Sequence, residues 1–285
     1  MLERRVGSDL IDRSKRPLEL TLAGRMYFEG CRVFLESFSE LEDRVRATRN
    51  QVAGRVELAA IYSVGLVEMD GYVNRFQMLY PKTEVHLEYL HPDEVYARVI
   101  SGEADLGIVS FPRVGGEING IPWREEEIVV AVNSGHRLSN RRRIHWSDLN
   151  GEMLIGFTKG LIIQKMIDRW LRSAGVTVEK LHKFDNIENI KRAVEIGAGA
   201  ALLPAPTIRR EVKAGTIRKI VLAEDKKFRP LGIIHRRKKS LSTAAGKLAD
   251  LLMETADSLE QESVLPFSVS GEKTGKSPVK ERARA

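Results

Sequence analysis

A chain of 285 residues, 42% hydrophobic and 30% charged, is long enough for one bilobed domain or two compact ones with tails. No apolar run reaches membrane-spanning length, and Met1-Leu2-Glu3-Arg4-Arg5 leads into no signal-peptide core, so a soluble cytoplasmic protein with no membrane partner is expected. A net charge of +7 fits a polyanionic partner without requiring one, and the single cysteine, Cys31, cannot form an internal disulfide. Much of the basic surplus falls late, in Arg209, Arg210, Arg218, Lys219, Lys226, Lys227, Arg229 and Arg236 to Lys239, and reads as solvated edges.

Residues 1–20 carry little core. Leu2, Val6, Leu10 and Ile11 suit the end of one helix, Arg13 to Pro17 a basic turn, and Leu18 to Thr21 a short alternating strand. Thr21 is placed to cap a long helix running to about Val52. The apolar positions of that helix, Tyr27, Cys31, Phe34, Phe38, Leu41, Val45 and Val52, follow steps of four and three through Val45, the spacing of a heptad seam. Glu40 with Arg44 and Glu42 with Arg46 are i,i+4 pairs for its solvated face. So long a seam needs another helix against it. The chain's own body could supply one, but a second copy of the same helix is the preferred reading.

From Gly54 strands and helices alternate, which predicts α/β architecture with largely parallel strands. Arg55 to Ile61 reads as a strand, followed by a helix with Leu66, Met69, Val73, Phe76 and Tyr80 on one face. Glu84 to Leu90 is a strand, Pro92 opens a helix that ends at Ser101-Gly102, and Leu106 to Ser110 is a buried strand. A glycine-rich link at Gly115, Gly116 and Gly120 then leads to a strand at Glu127 to Val132. The second half repeats this order: strand Met153 to Phe157, helix Leu161 to Ser173, strand Lys180 to Phe184, helix Ile187 to Ile196, strand Ala200 to Leu203. Strands at Ile217 to Leu222 and Leu231 to His235 and a helix from Ser242 to about Leu259 close the body. Two such lobes joined by crossing segments make a cleft. From Glu262 the composition predicts a disordered tail.

No catalytic signature is present: no G-x-S-x-G, no H-E-x-x-H, no P-loop and no paired cysteines. His86 and His91 are the only close histidines, and no third ligand has fitting spacing, so no metal and no cofactor are expected. Gly197-Ala198-Gly199 follows a helix and precedes a strand, the reverse of a dinucleotide fingerprint, and reads as a tight turn. Binding is better supported than catalysis. Tyr62-Ser63-Val64-Gly65 and Thr158-Lys159-Gly160 each place a hydroxyl where a strand gives way to a helix, and Asn186 enters a third such junction. Helix N-termini facing one cleft suit a small anion. The alternative is that Ser63 and Thr158 only cap their helices.

Three motifs carry a family resemblance. Leu2-Glu3, Val6-Gly7, Leu10-Ile11-Asp12-Arg13, Lys15-Arg16, Leu20-Thr21 and Ala23-Gly24 resemble the end of the winged helix-turn-helix of LysR-type transcriptional regulators. Gly102-Glu103-Ala104-Asp105-Leu106-Gly107-Ile108-Val109 is similar to that family's first-lobe signature. Ile190-Lys191, Val194, Gly197-Ala198-Gly199 and Leu203-Pro204 are similar to its second-lobe signature. The resemblance runs from residue 2 to about 260.

It implies a wing remnant in residues 1–20 and a linker and dimerisation helix in residues 21–53. A two-lobed, periplasmic-binding-protein-like (type 2) effector domain follows in residues 54–261, with lobe 1 from 54–124 and 231–261 and lobe 2 from 125–230. The implied partners are DNA, if the helices missing before Leu2 are restored, an inducer in the cleft, which the helix N-termini suggest is a small anion, and further copies of the chain in a homodimer or homotetramer. By position Ser63 and Thr158 match the family's hydroxyl residues at its two ligand loops, and together with the junction residues read above the expected effector-binding set is Ser63, Val64, Gly65, Thr158, Lys159 and Asn186. In the wing, Arg13, Lys15 and Arg16 match basic residues that approach the DNA backbone, contacts that position rather than read sequence.

Ile11 stands where the family usually has phenylalanine. The helices expected before Leu2, including most of the recognition helix, are missing, and a start codon assigned too late is the expected reason. A DNA-binding-deficient partner subunit and a cytoplasmic solute-binding protein are the alternatives.

Overall fold

The computed structural model describes residues 1–47, 51–64, 66–237 and 239–262. Gly65 and all but the first residue of the expected tail lie outside them, as do the side chains of Glu40, Arg44 and Arg46 expected on the long helix.

At the N-terminus, α1 (Leu2–Val6) stops at Gly7, which takes the left-handed conformation with φ 72°. Leu10 and Ile11 do not extend this helix. Ile11 belongs to β1 (Ile11–Asp12), which pairs antiparallel with β2 (Glu19–Leu20), Ile11 opposite Leu20. Glu3 fixes this path, because its Oε1 accepts the backbone N–H of Leu10 at 2.7 Å and of Ile11 at 3.1 Å.

Thr21 caps α2 (Leu22–Ala47): its Oγ1 accepts the N–H of Gly24 at 2.9 Å and donates to the carbonyl of Asp9 at 2.7 Å. Val52, expected at the end of this helix, is not part of it. It packs instead on the core of the α/β body, where its side chain is drawn out of water. The seam is not covered by that body, for Phe34, Phe38, Leu41 and Val45 are 69%, 52%, 55% and 58% exposed. Tyr27 and Cys31 are half-buried. Arg32 donates from Nη1 to the carbonyl of Ser101, tying α2 to the body.

In the body, β3 (Gly54–Ile61), α3 (Leu66–Leu79), β4 (Thr83–Leu90), α4 (Pro92–Ser101) and β5 (Leu106–Ser110) build a parallel unit with strand order β4-β3-β5. The long strand β6 (Ile118–Asn133) leaves this unit. It leads through β7 (Arg143–Ile144) to β8 (Met153–Phe157), α5 (Ile162–Ser173), β9 (Glu179–Phe184), α6 (Ile187–Glu195) and β10 (Ala200–Pro204). After α7 (Arg209–Ala214) and β11 (Ile217–Leu222), β12 (Phe228–Arg236) returns, and α8 (Thr243–Glu262) closes the first unit. The sheet reads β4-β3-β5-β12-β6-β10-β8-β9, with β11 beside β6 and β7 beside β11.

Two hydrophobic cores result. One gathers Val56, Leu58, Phe76, Val95, Ile108, Ile233 and Leu248; the other gathers Val130, Ile155, Ile167, Val194, Leu202 and Ile220. Strands buried on both faces read as continuous apolar runs, which is why Leu58 to Ile61 and Ile128 to Val132 show no alternation. The crossing strands are longer than the sequence predicts. β6 begins at Ile118 and β12 at Phe228, because each pairs antiparallel with the other from Ile118↔Arg236 to Glu127↔Phe228. Gly120, Pro122 and the Glu125-Glu126 pair look like a loop until that partner is present.

The two signature motifs have structural roles. Gly102 ends α4 at φ 81°, and a Cβ on Gly107 would lie 2.8–2.9 Å from the side chains of Ile234, Val95 and Val99. Asp105 accepts the N–H of Glu57 at 3.0 Å and the ammonium of Lys239 at 3.2 Å. In the second motif Lys191 is 6% exposed and reaches Glu211 at 2.9 Å and the Thr207 carbonyl at 3.2 Å.

Candidate functional site

A cleft of about 310 Å³ opens between the two cores. Tyr62, Ser63, His91, Glu94 and Ser110 line it from one side, Phe157, Leu161, Ile163, Asp185, Asn186 and Asn189 from the other, and Arg229 from the crossing strand β12. Each wall is the C-terminal end of parallel strands, the place where an open α/β sheet leaves a crevice.

The walls are set locally. β3 ends in a tight turn, Tyr62–Val64, that sends Ser63 to the cleft and Val64, at 2% exposure, into the core. His91 caps α4 by accepting the N–H of Asp93 at 3.4 Å, and Asn186 caps α6 by accepting the N–H of Glu188 at 2.8 Å. Thr158 does not cap α5. Its amide bonds to the Phe184 carbonyl at 3.0 Å, and Leu161, with no side-chain bond, holds the cap position. Thr158 is half-buried and Lys159 exposed, and the lining on their side comes from Phe157, Leu161 and Ile163. Of the expected effector-binding residues the fold therefore brings Ser63 and Asn186 to the cleft wall.

Behind Ser63 runs a ladder of alternating charge. Arg229 donates from Nη1 to Ser63 Oγ at 2.6 Å and from Nη2 to the Ser63 carbonyl at 3.1 Å. Its Nε reaches Glu126 Oε2 at 3.1 Å, and Nη2 reaches the same oxygen. Glu126 Oε1 accepts from Arg124 at 3.0 Å, and Arg124 also donates to Glu68 Oε2 of α3 at 3.0 Å. Arg229 and Glu126 are both 2% exposed. Arg124 lies over the Trp123 ring, 4.2 Å from its centroid. Burial opposes the charge on Arg124, but the bond to Glu68 and the charges of Glu126 and Glu68 outweigh it and raise its pKa.

This ladder corrects the reading of Arg229 as part of a solvated edge. A side chain between Lys227 and Pro230 has no local mark of burial. A signal was nevertheless present: Arg124 and Glu126 share a strand face with Ile128, Val130 and Val132, all three of which are buried.

The expected DNA-facing residues sit on the hairpin β1–β2. Arg13 bonds Glu3 Oε2 at 2.9 Å, Lys15 pairs with Glu19 at 2.7 Å, and Arg16 donates to the carbonyls of Arg13 and Lys15 at 3.3 and 3.1 Å. Among the described residues no three metal-ligating side chains cluster, and His86 bonds Glu57 at 2.9 Å. No helix among them is long and apolar enough to cross a membrane.

Comparison with known proteins places this architecture. The hydrogen peroxide-inducible genes activator of Pectobacterium carotovorum is 23% identical over 253 residues, 89% of this chain and 84% of that protein. A full-length OxyR variant from Pseudomonas aeruginosa superposes with a TM-score of 0.69 at 20% identity, over 90% of this chain and 82% of that one. The CcmR regulatory domain of Synechocystis PCC6803, solved in complex with 2-PG, gives a TM-score of 0.65 at 25% identity, covering 71% of this chain and 97% of the domain. Residues 49–257 match the LysR substrate binding domain, and the chain belongs to the LysR family of transcriptional regulators.

Proposed function

We propose that this regulator binds a small metabolite in the cleft through an anionic group, and that the ligand alters how paired subunits engage DNA. The observation that carries the reading is the meeting of Ser63 and Asn186 across one cleft, with the buried cation Arg229 bonded to Ser63. An anion there meets a hydroxyl, a guanidinium and the N-terminal end of α6, each favourable to negative charge. The CcmR regulatory domain was solved with 2-PG bound, which supports a ligand-binding use of the fold.

Pairing of subunits through α2 is supported by its exposed seam, and contact with DNA phosphates by the basic hairpin Arg13-Ser14-Lys15-Arg16. These roles belong in the cytoplasm, where DNA is. A response to hydrogen peroxide, which the names of some relatives suggest, is not carried over to this chain. The test is a thermal-shift and calorimetric screen of metabolites on the full chain. A hit should lose affinity in Ser63→Ala and in Asn186→Ala, and a ligand whose affinity ignores both changes sinks the site assignment.

A further inference from the structure

The charges around the cleft restrict its ligand more tightly than its shape does. A guanidinium has five N–H bonds, and Arg229 uses four on Glu126 and Ser63, which leaves one hydrogen on Nη1. Ser63 Oγ accepts from Arg229, so its own proton has no partner among the described residues. Ser63 Oγ and Arg229 Nη1, 2.6 Å apart on two residues that line the cleft, thus keep one unused hydrogen each, enough for one carboxylate. No net positive charge stands behind them, because Glu68, Arg124, Glu126 and Arg229 alternate in sign and cancel. Two further carboxylates face the same cleft from opposite walls. Glu94 on α4 and Asp185 before α6 are both exposed, and neither side chain has a partner among the described residues.

Resting on the ligand-binding reading above, we propose that the cleft selects a zwitterion, an amino acid in the broad sense. Its carboxylate would take the Ser63 O–H and the remaining Arg229 N–H, and its ammonium would sit between Glu94 and Asp185. A phosphate or sulfate dianion would add two negative charges to a cleft already carrying two unmatched ones, with no surplus cation to repay its dehydration. A simple carboxylate would leave both acids without a counter-charge. The ammonium supplies it, and by bridging acids on opposite walls it gives the ligand a reason to draw the walls together.

The experiment is calorimetry on the full chain with the standard amino acids, β-alanine and γ-aminobutyrate, each compared with its desamino carboxylate, and with inorganic phosphate and sulfate. At least one amino acid should bind saturably and its desamino counterpart about tenfold or more weaker, a difference of one decade in Kd. The surface double variant Glu94→Gln/Asp185→Asn should remove that preference while leaving the fold, read by circular dichroism, intact. Saturable binding of phosphate or sulfate in competition with the amino acid overturns the proposal, as does failure of every amino acid to bind. A desamino carboxylate that binds well, needs Ser63, and ignores Glu94→Gln/Asp185→Asn overturns it too, yet leaves the anion-binding role of the cleft standing.

Discussion

Phe111 donates its backbone N–H to the carbonyl of Pro230 at 2.8 Å while held at φ 48°. The bond joins the end of β5 to β12 one residue beyond Arg229, and the Phe111 side chain packs against the core of the opposite lobe. A bulky residue in the left-handed region carries roughly 1–2 kcal/mol of strain. Phe111→Ala loses the ring contact and keeps the strain, whereas Phe111→Gly loses the contact and relieves it. The glycine variant should therefore be more stable than the alanine variant by about 1 kcal/mol in urea unfolding. An alanine variant of equal or greater stability would show that the backbone there is unstrained.

The pair Arg229–Glu126 sets up a second expectation. Arg229→Met leaves Glu126 buried with Arg124 as its remaining cation and should lower stability by about 3 kcal/mol. Adding Glu126→Met removes the stranded charge and should restore a large part of that loss. A double-mutant cycle in chemical denaturation measures both, and strictly additive losses would mean the two side chains are not coupled.

Thr21 closes the first turn of α2 and also bonds Asp9. Thr21→Ala should weaken that end of the helix by about 1 kcal/mol, while Thr21→Ser should be nearly silent. Hydrogen exchange at Gly24, whose amide Thr21 accepts, is the direct readout. Protection unchanged in the alanine variant would remove the cap from the account.

The carboxyl of Glu3 is held down to about 2 by the bond from Arg13 and by the Leu10 and Ile11 amides. Its folded pKa lies below the ordinary value of 4.5, so its contribution is fully present above that value and is lost as pH falls from about 4.5 through about 2. The link between α1 and the hairpin should loosen across that window. Amide exchange of Leu10 and Ile11 followed down the pH scale tests it, and Glu3→Gln should flatten the dependence.

The exposed seam of α2 predicts self-association. Phe38→Glu together with Leu41→Glu places charge on the apolar line and should shift the chain toward monomer in analytical ultracentrifugation, with the far-ultraviolet spectrum of the body unchanged. The same sedimentation coefficient in both proteins would locate the contact elsewhere.

Much of the fold is legible in the sequence because local patterns announce it. Pro92 and Gly102 mark both ends of α4, and the apolar faces of α3, α5 and α6 carry their period openly. What escapes is whatever depends on a distant partner. β6 and β12 hide their first halves because Gly120, Pro122 and Pro230 look like breaks, and only their mutual pairing makes them strands. The candidate site divides in the same way. Ser63 and Asn186 are visible as polar residues at strand-to-helix junctions, whereas Arg229 sits 166 residues from the serine it bonds and 103 from Glu126. Thr158 has the same local pattern as Ser63, but the wall beside it is completed by apolar residues of α5 and its lead-in.

The return of β12 and α8 to the first core has a consequence for the order in which the protein is made. Residues 128–222 contain every buried member of the second core, whereas the first core needs Leu231 to Leu252 in addition to Val56 to Trp123. During synthesis from the N-terminus the lobe begun second is the one that can close first. The hypothesis is that the earlier lobe waits on the ribosome with β3, β5 and Trp123 unfilled, since Trp123 donates its indole N–H to the carbonyl of Leu252 at 2.8 Å only once α8 has emerged. Nascent chains stalled at the length where β11 has just emerged from the ribosome, with β12 and α8 still inside it, should resist protease in residues 128–222 and be cut in residues 54–124, and equal resistance in both would rule this order out.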